Sequence, residues 1–160
     1  MKTRLAAVAL ASVLLLPSVA RADMTAFLGR HSAGGDATTA RGFAFGASLL
    51  IIGFEFEYAT TSEELSEAQP SFRTISGNAV FQTFGLPGFQ LYYTTGVGNY
   101  RERLANDETS GYLHNNGGGV KINLAGPLRA RVDYRIFNVR SGDPRHTTVH
   151  RLYGGINLAF

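Results

Sequence analysis

The sequence contains no cysteine and no tryptophan, so no disulfide bond contributes to its fold. Beyond its first 22 residues it also lacks any run of about 20 apolar residues, which excludes a membrane-spanning helix in that part of the chain. It shows no long stretch with helical periodicity either. These absences leave β-strands as the main elements from which a fold can be built.

The chain also lacks a net charge once its first 22 residues are set aside. The full sequence has 15 basic and 12 acidic residues, and the first segment contributes Lys2, Arg4 and Arg21 but no acid. Removing that segment leaves 12 basic and 12 acidic residues. This balance argues against an extended basic surface, and we expect no nucleic-acid partner.

The first segment has the features of an export signal. A positive start precedes the apolar run Leu5–Leu16, and a small-x-small motif ends at Ala22. The pattern predicts a signal peptide over residues 1–22, cut between Ala22 and Asp23. A membrane anchor is the alternative, but the apolar run is short for a bilayer. We expect residues 23–160 to form one domain.

The remaining chain alternates apolar and polar residues in stretches separated by turn residues, which is the pattern of antiparallel strands. The predicted strands are Met24–Arg30, Gly42–Leu50, Gly53–Thr60, Phe72–Thr83, Phe89–Arg101, Ser110–Leu124, Leu128–Val139 and Thr147–Phe160. A turn of helix is possible at Thr61–Ala68. We therefore predict an all-β fold, an eight-stranded antiparallel up-and-down transmembrane β-barrel.

The connections between these stretches alternate in length. Those at Ile51–Ile52, Phe84–Gly88 and Ala125–Pro127 are short, whereas those at His31–Arg41, Thr61–Ser71, Glu102–Thr109 and Arg140–His146 are longer and polar. Outer-membrane barrels have short periplasmic turns and longer outer loops. The alternation predicts that both ends of the mature chain lie on the periplasmic side.

The last strand has one apolar face and ends on an aromatic residue. The side chains on that face include Leu152, Ile156, Leu158 and Phe160. This pattern is typical of the closing strand of a membrane barrel, although a half-buried strand of a soluble sheet shows it too. Periodicity alone does not say which face of the barrel points inward, and a soluble barrel would bury the apolar one.

Three features favour an apolar exterior. The loops are asymmetric, the chain ends on Phe160, and aromatic residues lie near the strand ends in a way that suggests two interfacial girdles. The predicted girdle residues are Phe54, Phe89 and Phe160 at the end with short turns, and Tyr58, Tyr100 and Tyr112 at the other end.

The whole mature chain resembles the small outer-membrane β-barrel family, the porin-family proteins of OmpA/OmpX type. The segments that carry the resemblance are Gly53–Tyr58, Tyr93–Gly98, Asn116–Lys121, Leu128–Tyr134 and Gly155–Phe160. The resemblance implies a bacterial outer-membrane location, lipid contact, and folding by the barrel-assembly machinery, with the terminal aromatic strand as the signal. It implies no single activity. We expect a structural or surface-interaction role in a monomer without cofactor or metal, and a small channel is the alternative.

The interior of an eight-stranded barrel is just wide enough to be filled by side chains. The third and seventh predicted strands face each other, and both carry charges opposite their apolar faces. We predict an ion-pair cluster in the lumen made of Glu55, Glu57, Lys121, Arg129, Arg131, Asp133, Arg135 and Arg151. Buried charges must be paired, because an unpaired charge has a large desolvation cost. The cluster is either a structural core or a gate that opens when pairs exchange.

Enzymatic function has weaker support. His146 and His150 are four residues apart and would share one face of a strand, but no nearby carboxylate or cysteine completes a metal site. An outer-membrane lipid hydrolase is the enzymatic alternative. Lipid A deacylases pair a histidine with a serine on a late strand, but here the residue two positions after His150 is Leu152. The acidic residues Glu63, Glu64 and Glu67 are expected to form a solvated loop face.

Overall fold

The computed structural model describes residues 20–62, 69–83, 86–140, 142 and 146–160. The strands within them are β1 (Ala20–Ala33), β2 (Asp36–Leu49), β3 (Ile52–Thr61), β4 (Ser71–Gln82), β5 (Phe89–Leu104), β6 (Asp107–Ala125), β7 (Leu128–Val139) and β8 (Thr148–Ala159). Of the residues described, none belongs to a helix long and apolar enough to cross a membrane. The predicted eight-stranded all-β fold is confirmed.

The strands form one closed barrel in which each pairs with its sequence neighbours and β8 pairs with β1, all antiparallel. The stagger follows from the pairing register. A path across the partners from Ala20 passes Leu49, Ile52, Phe81, Tyr93, Gly118, Tyr134 and Leu152. It returns to β1 at Arg30, ten residues beyond its start. A stagger of this kind tilts the strands and closes the sheet without a free edge.

Two of the predicted long loops are wrong. The segment His31–Arg41 continues β1 and β2 as a hairpin, closed by Gly34 and Gly35, which both have positive φ. The segment Glu102–Thr109 likewise continues β5 and β6. These polar stretches extend the barrel wall, so their polarity does not mark loops. The connections 62–70 and 140–147 remain the longer ones at this end.

We call the end of the barrel with the longer connections the loop end, and the opposite end the turn end. The turn end carries Leu50–Ile51, Gly126–Pro127 and Phe160, whose backbone exchanges two hydrogen bonds with Ala22. The predicted signal segment lies largely outside the described residues, and Ala22 and Asp23 are part of β1. The helical turn predicted at Thr61–Ala68 also lies mostly outside them, because residues 63–68 are not described.

The apolar face of the barrel points outward. On β3, Phe54 is 72% exposed and Phe56 is 47% exposed, whereas Glu55 and Glu57 between them are buried. Tyr100 is the exception among the predicted girdle residues, because it points inward and is buried. The charged side chains of β3 therefore point into the interior, where they need partners of opposite charge.

Candidate functional site

Three strands position the charges of the interior. Arg131, Asp133 and Arg135 are alternate residues of β7, so all three point into the barrel. Glu55 and Glu57 occupy the same face of β3, on the far side of the lumen. We use the name charged cluster for the six buried residues Glu55, Glu57, Arg131, Asp133, Arg135 and Arg151. They comprise three acids and three arginines, so the cluster is formally neutral.

Arg131 and Glu55 form the main contact across the lumen. Arg131 Nη1 donates to Glu55 Oε2 at 2.5 Å and Arg131 Nη2 donates to Glu55 Oε1 at 3.2 Å, so the pair is bidentate. Arg131 Nε also donates to the Tyr92 hydroxyl at 2.7 Å, and its guanidinium lies 4.7 Å from the centre of that ring. The planar guanidinium therefore has both hydrogen-bond acceptors and an aromatic face in contact with it.

Arg135 connects the acids of both strands. Its Nη2 donates to Glu55 Oε1 at 2.6 Å, and its Nε donates to Asp133 Oδ1 at 3.0 Å. Its Nη1 lies 3.1 Å from Glu57 Oε2, close enough for an ion pair although the N–H is not aligned as a hydrogen bond. Removal of this one side chain would leave all three carboxylates of the cluster short of a partner.

Arg151 completes the charged cluster nearest the loop end. It donates to Glu57 Oε1, and its guanidinium lies 4.5 Å from the centre of the Phe137 ring. The Tyr153 hydroxyl lies 3.5 Å from the other oxygen of Glu57. Buried charges of this kind are tolerated only when their partners replace the lost water, and the contacts of Glu57 meet that condition.

Two of the eight predicted cluster residues lie elsewhere. Lys121 is buried but pairs with Asp23, the residue that follows the predicted signal cleavage site. Arg129 is half-buried and lines a groove at the turn end together with Gln90 and Asn123. Both residues point to the interior, but they lie closer to the turn end than the charged cluster does. The sequence indicated their face correctly and did not reveal their partners.

Glycines of β6 leave the space that the large interior side chains occupy. A Cβ on Gly117 would lie 2.7 Å from Arg135 Cγ, and a Cβ on Gly119 would lie 2.5 Å from the Tyr92 hydroxyl. Backbone oxygens of β7 would be closer still, at 2.3 Å and 2.1 Å. The glycine-rich stretch of β6 therefore has a packing role beside the charged cluster.

The interior near the loop end is mostly apolar, although His31 and Glu102 are buried there too. We call it the apolar section; its buried residues are Phe72, Tyr100, Leu113, Phe137, Val139 and Val149. The signal was present in β7, where Phe137 and Val139 continue the inward face of Arg131 and Arg135. A small cavity of about 40 Å³ borders this section and is lined by residues that include His31 and Phe72.

The histidines do not share a site. His146 borders the small cavity with His31, whereas His150 lies on the outer face, where its Nδ1 is 2.7 Å from the Tyr134 hydroxyl. The prediction that His146 and His150 share one face is wrong, because β8 begins only at Thr148. Within the described ranges, no three His, Asp or Glu side chains are placed to hold a metal ion.

A polar network on the outer face was also missed. Thr95 donates to Asn116 Oδ1 at 2.9 Å and lies 3.4 Å from His114 Nε2, while the Tyr93 hydroxyl donates to Asn116 Oδ1 at 3.0 Å. The four residues are outward-facing neighbours on β5 and β6. Each side chain finds a partner within the network, which reduces the cost of placing it on an apolar surface.

The four apolar residues proposed as an assembly signal on the last strand point outward. Leu152, Ile156, Leu158 and Phe160 are all exposed, while Arg151 and Tyr153 on the alternate face are buried in the lumen. The outer face of β8 and the following Phe160 thus present an apolar row, interrupted at Gly154, to the surroundings of the barrel.

Comparison with known proteins identifies the fold. No family model matches the sequence, and no curated protein matches it. The structure is similar to that of neisserial surface protein A, with a TM-score of 0.72 and 12% identity over 88% of this chain and 97% of the other. It is also similar to the N-terminal barrel of Pseudomonas aeruginosa OprF (TM-score 0.65, 16% identity, 88% and 97%). Ail, the attachment invasion locus protein of Yersinia pestis, is a third (TM-score 0.57, 17% identity, 89% and 99%). The chain has the fold of small eight-stranded outer-membrane β-barrels.

The same fold occurs in an enzyme. The outer-membrane enzyme PagL matches with a TM-score of 0.54 and 11% identity, over 85% of this chain and 98% of PagL. The fold by itself therefore does not decide whether this chain is catalytic.

Proposed function

We propose that this chain is a bacterial outer-membrane β-barrel protein with a filled lumen and a structural or surface-interaction role. The observation that carries the proposal is the inversion of the barrel: apolar side chains cover the outside, and the charged side chains pair inside. A lipid bilayer is the environment in which such an apolar exterior is stable. A water-soluble barrel with the same faces would expose Phe54, Phe56 and Leu28 to water.

Membrane insertion is tested by two measurements on the expressed protein. The folded barrel should sediment with the outer membrane, require detergent for release, and migrate faster on a gel before heating than after it. The faster migration reflects a compact closed barrel that heat opens. Recovery of the folded protein from the periplasm without detergent would contradict the proposal.

The proposed orientation puts the turn end in the periplasm and the loop end at the cell surface. The shorter connections at the turn end support it, since outer-membrane barrels have short periplasmic turns. An epitope inserted at Gly142 should be detected by antibody on intact cells, whereas one inserted at Gly126 should be detected only after permeabilisation. The opposite pattern would reverse the orientation.

The outer face of β8 supports a role for the last strand in recognition by the barrel-assembly machinery. Leu152, Ile156, Leu158 and Phe160 form its apolar row. Deletion of Phe160 should lower the amount of assembled, heat-modifiable protein in cells, while refolding of the purified chain into detergent should change little. An equal loss in both settings would indicate a folding defect and not a recognition defect.

A small channel is the second candidate function, because the charged cluster gives the barrel a polar interior. The side chains argue against a permanent pore, since the charged cluster and the apolar section fill successive parts of the lumen. Single-channel recordings in planar bilayers should therefore show no sustained open state in the wild-type barrel. A steady conductance would favour the channel.

We infer a non-catalytic role. The outward network contains the Thr95 hydroxyl and the His114 imidazole, which a lipid hydrolase could use as nucleophile and base. The hydroxyl proton of Thr95 is directed at Asn116 Oδ1, at 2.9 Å, and not at the imidazole. Mass spectra of membrane lipids should be identical in cells that express the wild-type protein and in cells that express His114→Ala. A lipid cleavage product present only with the wild-type chain would support the enzymatic alternative.

A further inference from the structure

Arginines collect on the outer face of two neighbouring strands near the loop end. Arg73 on β4 and Arg101 and Arg103 on β5 are exposed, and the residues that flank Arg73 and Arg101 are buried in the interior. The three therefore project from the outer wall of the barrel and not into its mouth.

Arg73 and Arg101 are directly opposite each other in the β4–β5 register. Side chains in that relation have Cβ atoms about 5 Å apart, and two like charges there destabilise the pair. Arg101 Nε lies 3.3 Å from Glu108 Oε1, and both of those side chains are about half exposed. Among the residues that the structure describes, this surface has three arginines and one acid, which is an excess of positive charge.

An apolar groove lies on the turn-end side of these arginines, beyond the outward pair Ile75 and Asn99, and runs toward the turn end. The floor of the groove includes Gly77, which has no side chain, and Ala79, which has only a methyl group. Phe54 and Phe56 on one side and Val97 on the other belong to its walls. The groove has a volume of about 780 Å³ and opens onto the exterior of the barrel.

We propose that this groove and the arginines above it bind one lipid that carries phosphate on its headgroup, an inference that rests on the proposed membrane location. The guanidinium groups of Arg73 and Arg101 would hold the phosphate, since arginine recognises phosphate with paired hydrogen bonds. An acyl chain would lie over Gly77 and Ala79. The excess positive charge suits the phosphate headgroup of such a lipid, and the apolar groove on its turn-end side suits an acyl chain.

The probe for the test is diphosphorylated lipid A, added to the barrel in phosphatidylcholine nanodiscs. Backbone amide resonances of Gly77 and Gly96, which both border the groove, should shift in a saturable manner. Dephosphorylated lipid A should give no comparable shift. The double variant Arg73→Gln/Arg101→Gln should bind about tenfold to a hundredfold more weakly, as expected for the loss of charge-assisted hydrogen bonds.

Two matched controls separate this site from general surface effects. Arg30→Gln removes one positive charge from the outer face of β1, three strands away from Arg73 in the sheet, and should leave the Gly77 titration within about twofold of wild type. Gly77→Phe should block the response at Gly96, while Gly154→Phe should preserve it. A Cβ at either glycine meets no atom within 4 Å, so both variants should fold.

The inference would be overturned by an unchanged titration in Arg73→Gln/Arg101→Gln, by an equal loss in the Arg30→Gln control, or by an equal response to dephosphorylated lipid A. A chain that does not enter the nanodisc, shown by the absence of heat-modifiable migration, contradicts the proposed function and the inference with it. An inserted barrel without the Gly77 response contradicts the inference alone.

Discussion

The two halves of the barrel interior are filled in opposite ways. Near the turn end the charged cluster fills the lumen with arginines and carboxylates, whereas near the loop end the apolar section fills most of it with aromatic and aliphatic side chains, beside His31 and Glu102. One strand crosses both regions, because β7 presents Arg131 and Arg135 and then Phe137 and Val139 to the same interior. A narrow lumen can thus be closed by either chemistry on the same backbone.

The difference lies in how much each side chain depends on its neighbours. An apolar side chain loses contacts when a neighbour is truncated, but it does not become costly to bury. A buried arginine whose acid is removed remains as an uncompensated charge. The charged cluster should therefore respond to single substitutions as a unit, and the apolar section should respond contact by contact.

The largest effect is expected at Arg135, which contacts all three acids of the charged cluster. Arg135→Met should lower the free energy of unfolding by about 3–5 kcal/mol, because it leaves an excess of buried negative charge. The change is measured by urea unfolding in lipid vesicles, followed by gel migration. Arg140→Met, at the exposed position directly after β7, should change stability by less than about 0.5 kcal/mol. Equal effects of the two variants would mean that the cluster is not a unit.

A smaller loss is expected in the apolar section. Leu113→Ala should lower the free energy of unfolding by about 2–4 kcal/mol, through lost contacts and a cavity. Its control is Val97→Ala, at an outward position on β5 where lipid can fill the space left by the smaller side chain. The expected loss there is below about 1 kcal/mol. The same urea titration measures both. A Leu113→Ala loss no greater than that of Val97→Ala would show that the section is not packed as described.

Coupling between Glu55 and Arg131 sharpens the comparison further. The double variant Glu55→Gln/Arg131→Gln should be more stable than the sum of the single losses predicts, by about 1–3 kcal/mol. The physical reason is that each single variant leaves a buried charge without its bidentate partner. Glu57 and Arg131 contact different partners and should couple less. Additive losses at Glu55 and Arg131 would argue against a paired cluster.

The smallest difference is expected between two glycines. Gly119→Ala should cost about 1–3 kcal/mol, since its Cβ would press on Tyr92 and the backbone of β7. Gly77→Ala faces open space outside the barrel and should change stability by no more than about 0.5 kcal/mol. Thermal unfolding in detergent compares them, and an equal loss would remove the packing role assigned to Gly119.

Sequence periodicity was sufficient to predict the eight strands and the inward face of the charges, because side chains alternate along every strand. It did not give the partners across the lumen. Those depend on the ten-residue stagger of the closed sheet, which no single strand displays. For this reason the face of Lys121 was predicted but not its partner Asp23. The polar segments around His31 and Glu102 were assigned to loops, because a wall that extends beyond the apolar band carries polar residues on both faces.

The central claim is that the apolar face of the barrel contacts lipid. Because the chain has no cysteine, a single spin label can be placed at Phe56→Cys or at Val132→Cys, both of which are outward-facing positions. In lipid vesicles the account predicts that each label is readily reached by oxygen, which dissolves in the bilayer, and poorly reached by a water-soluble nickel chelate. Labels shielded from both reagents, as in the core of a soluble barrel, would contradict the account.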